Sequence, residues 1–109
     1  MALILHLYSC IMYVISIRVE VDADKIDEFE SSMKDLIKHQ QIPDNPYGTL
    51  YRSTTVNNVF YYQEEWMNRN EMDKHIESGK FRILLGCIKS LGTVLESKIT
   101  IIDKTTELH

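Results

Sequence analysis

Two hydrophobic periods alternate along this chain, and their order restricts the fold more than any other feature. MYVISIRVEV (12–21) sets Tyr13, Ile15, Ile17, Val19 and Val21 against Val14, Ser16, Arg18 and Glu20, the two-residue repeat of a strand that starts just after Cys10. From Asp24 onward, Ile26, Phe29, Met33, Leu36 and Ile37 recur with helical period. Asp24 is the expected N-cap, and Lys34, Lys38 and His39 lie toward the negative end of that helix. IPDNPYG (42–48) holds both prolines and predicts a loop. TLYRSTTV and VFYYQEEW are β-branched and aromatic runs separated by Asn57 and Asn58, which predict a hairpin closed by a two-residue turn. Asn68, with Glu71 three residues on, predicts a capping box opening a second helix to about Ser78. Gly79 interrupts it. Phe81, Leu84, Leu85, Ile88 and Leu91 then continue an apolar stripe up to Gly92, the expected C′ residue, and TVLESKITII closes the chain as a fourth strand.

The order β-α-β-β-α-β predicts an α+β, ferredoxin-like fold: a four-stranded antiparallel sheet with two helices on one face. A chain of 109 residues suits one domain, assigned here to 12–103. Residues 1–11 read as an N-terminal extension and 104–109 as a C-terminal tail. MALILHLYSCI is apolar but lacks the cationic segment that opens an export signal.

Strand 3 places Phe60, Tyr62, Glu64 and Trp66 on one face and Val59, Tyr61, Gln63 and Glu65 on the other. Neither face is purely polar. Helices on one side only would leave an apolar and aromatic surface that monomers rarely expose, which predicts a twofold homodimer joined through the open sheet faces, with Arg18 at the interface.

Composition removes several classes of function. With a net charge of −4 and no block of Lys or Arg, the chain lacks the footprint that phosphate backbones require, so no nucleic-acid partner is expected. No apolar run approaches the roughly 18 residues of a membrane span, and no membrane partner is expected. Cys10 and Cys87 are the only cysteines and form no metal-ligand spacing, so no metal site is expected and a reducing, cytoplasmic compartment fits.

The hairpin YGTLYRSTTVNNVFYYQEEW followed by MNRNEMDKHIESGKFRILL resembles the antibiotic biosynthesis monooxygenase family, of the dimeric α/β barrel superfamily. Its pattern of E-x-W at the end of strand 3, then a His and a Phe on the following helix, falls on Glu64, Trp66, His75, Ser78 and Phe81. A Gly-x-Leu-x before the hairpin falls on Gly48, Leu50 and Tyr51. The resemblance implies oxidation of a small aromatic quinol or phenol by molecular oxygen without any cofactor. It implies His75 and Trp66 as catalytic residues and Glu64 and Phe81 as substrate-binding ones, to which the aromatic inner face of strand 3 adds Phe60 and Tyr62.

The chemistry suits these residue types. A phenol must lose a proton before its anion can pass an electron to oxygen, and histidine, with an ordinary pKa of about 6.5, is the side chain best matched to that task. Aromatic side chains between sheet and helices would hold a planar ring and exclude water. A histidine on an apolar stripe is equally well read as a core residue, with Trp66 as packing. Glu64, pointing toward the helices, needs a donor, and His75 is the nearest candidate. Which of Tyr51 and Arg52 reaches the pocket is open at this point.

Other functions remain to be weighed. A non-catalytic dimeric binding module would need only the apolar pocket, and a small-metabolite isomerase of the same fold would use a pocket histidine without oxygen. The absence of an obvious Arg/Lys cluster argues against a phosphorylated ligand. Haem-degrading relatives carry an Asn late in strand 1, a Trp where His75 stands and a His one turn beyond the Phe. This chain has Ile17 and Arg18 near the first position and Leu84 and Leu85 at the last.

Overall fold

A computed structural model of the chain describes residues 7–40 and 48–107. The expected loop at 42–48 lies outside the described residues except for Gly48, as do residues 1–6 of the extension. The elements are β1 (Leu7–Val21), a single 3-10 turn (Ala23–Lys25), α1 (Ile26–Gln40), β2 (Thr49–Arg52), β3 (Val59–Trp66), α2 (Arg69–Ile76), α3 (Gly79–Leu91) and β4 (Gly92–Glu107). The strands form one four-stranded sheet in the order β2-β3-β1-β4, and every pairing is antiparallel. This is the ferredoxin-like α+β arrangement.

Three features of the helices differ from expectation. Asp24 falls inside the 3-10 turn, and Asp22 is its N-cap, without a side-chain cap bond. The second helical segment, expected to be interrupted at Gly79, is two separately capped helices. Asn68 caps α2 by accepting a hydrogen bond from Glu71 N at 3.0 Å, and Ser78 caps α3 by accepting from Phe81 N at 3.3 Å. Ser78 therefore starts a helix where the pattern alone suggested an interruption at Gly79. Gly92 ends α3 in an extended conformation instead of a left-handed one. A Cβ there would lie 2.6 Å from Val19 Cγ2 and 2.9 Å from the Glu20 carbonyl oxygen, so close approach to β1 excludes a side chain.

The strands differ in length. β1 begins at Leu7, so residues 7–11 of the extension continue it, and β4 runs through part of the expected tail to Glu107. Register joins Leu7 to Glu107 and Val21 to Gly92, whereas β3 reaches β1 only between Tyr13 and Glu20. Leu7–Met12 thus pair with β4 alone. A bulge between Arg18 and Val19 leaves Leu95 as the extra residue of β4. The hairpin is looser than expected: β2 stops at Arg52, and Ser53 to Asn58 form the connection. Ser53 Oγ accepts from Val56 N at 3.1 Å, and only Asn58 takes a positive φ, of 64°.

The core lies between the sheet and the helices. Ile15, Ile17, Val19 and Val21 of β1 meet Phe60, Tyr62 and Trp66 of β3 beneath Phe29 and Met33 of α1 and Phe81, Leu84 and Ile88 of α3. Each such side chain contributes roughly 1.5–3 kcal/mol on burial. α2 adds only Met72. The opposite sheet face carries Met12, Val14, Arg18, Tyr51 and Tyr61 and, among the described residues, no helix. There the Arg18 Nε is buried and has no acceptor among the described residues.

Candidate functional site

Alternation along β3 puts Tyr62, Glu64 and Trp66 on the same inward face, and all three are buried, Glu64 to 2% exposure. An ionised carboxylate in such a place costs several kcal/mol unless it is fully hydrogen-bonded. Here it is. The Tyr62 hydroxyl donates to Glu64 Oε2, and Trp66 Nε1 donates to Oε1 at 2.9 Å. From α2, His75 Nε2 lies 2.9 Å from Oε1 and 3.0 Å from Oε2, bridging the two oxygens. A carboxylate offers only acceptors, so Nε2 carries the hydrogen and Nδ1 is the nitrogen left to take a proton. Burial, then the Glu64 charge and its hydrogen bond, push the Tyr62 phenol well above its ordinary pKa, which keeps it a donor.

The imidazole is wedged between two rings. Trp66 lies 4.9 Å away at a tilt of 37°, and Phe81 meets it edge-on at 5.0 Å and 61°. Ser78 sets this spacing at the α2–α3 junction: its hydroxyl donates to the His75 carbonyl at 2.6 Å while accepting from Phe81 N. The His75 side chain retains 17% of its exposure, so the ring is not sealed from solvent.

Phe81 also forms part of a cleft of about 410 Å³ at the β4 edge of the helix layer, with Ile15, Ile17, Ile76, Leu85 and Ile99 as its other apolar walls. His75 and Trp66 are not among its lining residues; they stand behind Phe81. The expected pocket aromatics therefore divide. Phe81 is on the cleft wall, whereas Tyr62 and Trp66 are packed core residues whose polar atoms serve Glu64. Phe60 is apart from this group: its ring packs edge-on against Phe29 at 5.1 Å, beneath Arg52 at 5.4 Å. Arg52, paired with Glu30 at 3.3 Å, points inward from β2, while Tyr51 faces the open side opposite Tyr61.

Sequence reasoning missed the β4 side of the cleft. Ile99 alternates onto the helix face only because of the bulge, which nothing in TVLESKITII announces. It also missed Ser78 as a cap, although Ser followed three residues later by an apolar run is a helix-start signal. Among the described residues, no group of three His, Cys, Asp or Glu side chains is placed to hold a metal ion, and no helix is long and apolar enough to cross a membrane.

Comparison with known proteins agrees with this fold. Residues 12–83 match the family model described as antibiotic biosynthesis monooxygenase. No curated protein matches. Among solved structures, a conserved protein from Methanosarcina mazei Go1 superposes with a TM-score of 0.71 at 20% identity, over 85% of this chain and 92% of that one. A conserved protein of unknown function from Bacteroides thetaiotaomicron VPI-5482 gives 0.68 at 20% identity, over 85% and 97%. A structure described as an antibiotic biosynthesis monooxygenase gives 0.67 at 18% identity, over 85% and 97%. At these identities the likeness is one of fold.

Proposed function

The chain belongs to the antibiotic biosynthesis monooxygenase family, and from that premise we propose that it is a cofactor-independent monooxygenase acting on a small aromatic quinol or phenol. The observation that carries this reading is the His75–Glu64 pair. Glu64 orients the imidazole and stabilises the cation formed when Nδ1 accepts a proton, the arrangement expected of a general base backed by a buried carboxylate. Phe81 separates that base from the apolar cleft, whose volume suits a small planar ligand.

The reaction would begin with transfer of the substrate's acidic proton to His75, which requires the Phe81 ring to swing aside or one water to carry the proton past it. The resulting anion passes one electron to molecular oxygen, and the radical pair recombines as a peroxide. Loss of water then leaves one oxygen atom on the substrate as a ring carbonyl, and the other departs in the water. A positioned base contributes roughly 10²–10⁴-fold, or about 3–5 kcal/mol of barrier. Oxygen uptake with a panel of quinols and anthrols tests the proposal, comparing the wild type with His75→Ala and Trp66→Phe. Uptake on no substrate, or uptake untouched by both changes, would sink it.

The working unit in this reading is a homodimer joined through the open sheet faces. The buried Arg18 Nε supports it, because such a group needs an acceptor that a facing copy could supply. Light scattering at low micromolar concentration should give a dimer for the wild type and a monomer for Arg18→Glu; a monomeric wild type would refute it.

A further inference from the structure

At the edge of the helix layer opposite the Phe81 cleft, α1 and β2 enclose a second cavity of about 410 Å³. Its chemistry is different. Leu50 and Arg52 are alternate residues of β2, paired with Tyr62 and Phe60, so both point toward the helices. Lys34 and Lys38 stand one helical turn apart on α1, with Ile37 beside them. The result is an apolar floor of Ile37, Leu50 and Phe60 under a rim of Lys34, Lys38 and Arg52.

The rim is not internally neutralised. Glu30 engages Arg52 at 3.3 Å, but among the described residues neither lysine has a carboxylate within ion-pair distance. A surplus of positive charge thus collects at one concave apolar spot of a chain whose net charge is −4. Such a spot concentrates anions, because the low-dielectric wall focuses the field of the rim. The apolar floor, with Phe60 already stacked under a guanidinium, favours a flat carbon skeleton over a bare ion.

We infer that this cleft binds a small organic anion, its carboxylate or sulfonate met by Lys34 and Lys38 and its flat apolar body lying on Ile37 and Leu50. The site shares no lining residue with the Phe81 cleft. It therefore stands whether or not His75 is a base.

Calorimetric titration of the full chain with naphthoate tests it, with naphthylmethanol as the neutral analogue and inorganic phosphate as the bare anion. Lys34→Glu combined with Lys38→Glu is expected to weaken naphthoate by about tenfold or more, since both attracting charges are reversed. Lys98→Glu, on the β4 wall of the Phe81 cleft, should leave the affinity unchanged, and naphthylmethanol should bind more weakly than naphthoate. Both lysines are exposed, so circular dichroism of the double variant should match the wild type. The inference is overturned if naphthoate does not bind, if the double variant binds it as well as the wild type, or if Lys98→Glu causes the loss instead. Equal binding of naphthylmethanol, or displacement of naphthoate by an equal concentration of phosphate, would also overturn it.

Discussion

Gly48 lies directly against the Tyr62 phenol: a Cβ at position 48 would come within 2.1 Å of the hydroxyl and 2.4 Å of a ring carbon. The glycine that opens β2 therefore seats the residue that donates to Glu64. Gly48→Ala should destabilise the protein by about 1–3 kcal/mol through overpacking. Thermal unfolding should show a midpoint lowered by several degrees, roughly 4 °C or more. An unchanged midpoint would mean that Tyr62 can move aside freely.

Glu64 is the acceptor on which Tyr62, Trp66 and His75 converge. Glu64→Ala strands those donors in the core and should cost about 3–5 kcal/mol in urea denaturation, the range seen when one partner of a buried ionic contact is removed. Glu64→Gln keeps the shape but places an amide where His75 needs a carboxylate. It should lose much less stability while cutting oxygen uptake by roughly 10²-fold or more. Equal uptake by wild type and Glu64→Gln would show that the carboxylate does not support a base.

The raised pKa of Tyr62 has a defined sign. In the unfolded chain the phenol ionises near pH 10, whereas burial and the Glu64 charge hold it protonated in the fold. Above about pH 10 the folded state binds more protons than the unfolded one, so stability is intact below that pH and falls as pH rises beyond it. The contribution of one such group is at most ~1.4 kcal/mol per pH unit. Urea unfolding at successive alkaline pH values should show a shallower decline for Tyr62→Phe than for the wild type; parallel declines would remove Tyr62 from the account.

Ser78 caps α3 and ties it to the last turn of α2. Ser78→Ala should cost about 0.5–2 kcal/mol as a lost N-cap. Because the same hydroxyl sets the His75–Phe81 spacing, near-ultraviolet circular dichroism should change around the aromatic cluster while the far-ultraviolet spectrum holds. Ser78→Thr, which keeps the hydroxyl, should restore both stability and spectrum.

Much of the fold was legible because the periodicity of β1, α1 and β3 is clean. The Glu64–His75 pair was also foreseeable, since an acid on the inward face of VFYYQEEW must find a donor. What escaped were effects that depend on geometry between distant segments. The bulge at Arg18 decides which residues of β4 face the cleft. Close approach to Val19 and Glu20, not a left-handed turn, explains Gly92. Phe60 and Tyr62 share a strand face, but the strand carries them toward different helices, so one packs on Phe29 and the other turns its hydroxyl to Glu64. The basic rim at Lys34, Lys38 and Arg52 was invisible for the same reason: its members come from two elements.

The pairing of β1 with β4, Leu7 with Glu107 and Val21 with Gly92, also orders events during synthesis. Of the four described strands, the first to leave the ribosome sits in the middle of the sheet, between β3 and β4, and one of its two partners is the last of the four to emerge. Until then an apolar strand waits with an open edge, the kind of exposure that invites pairing with another nascent chain. For this fold, yield should depend on how fast the last strand is delivered as much as on the stability of the finished domain.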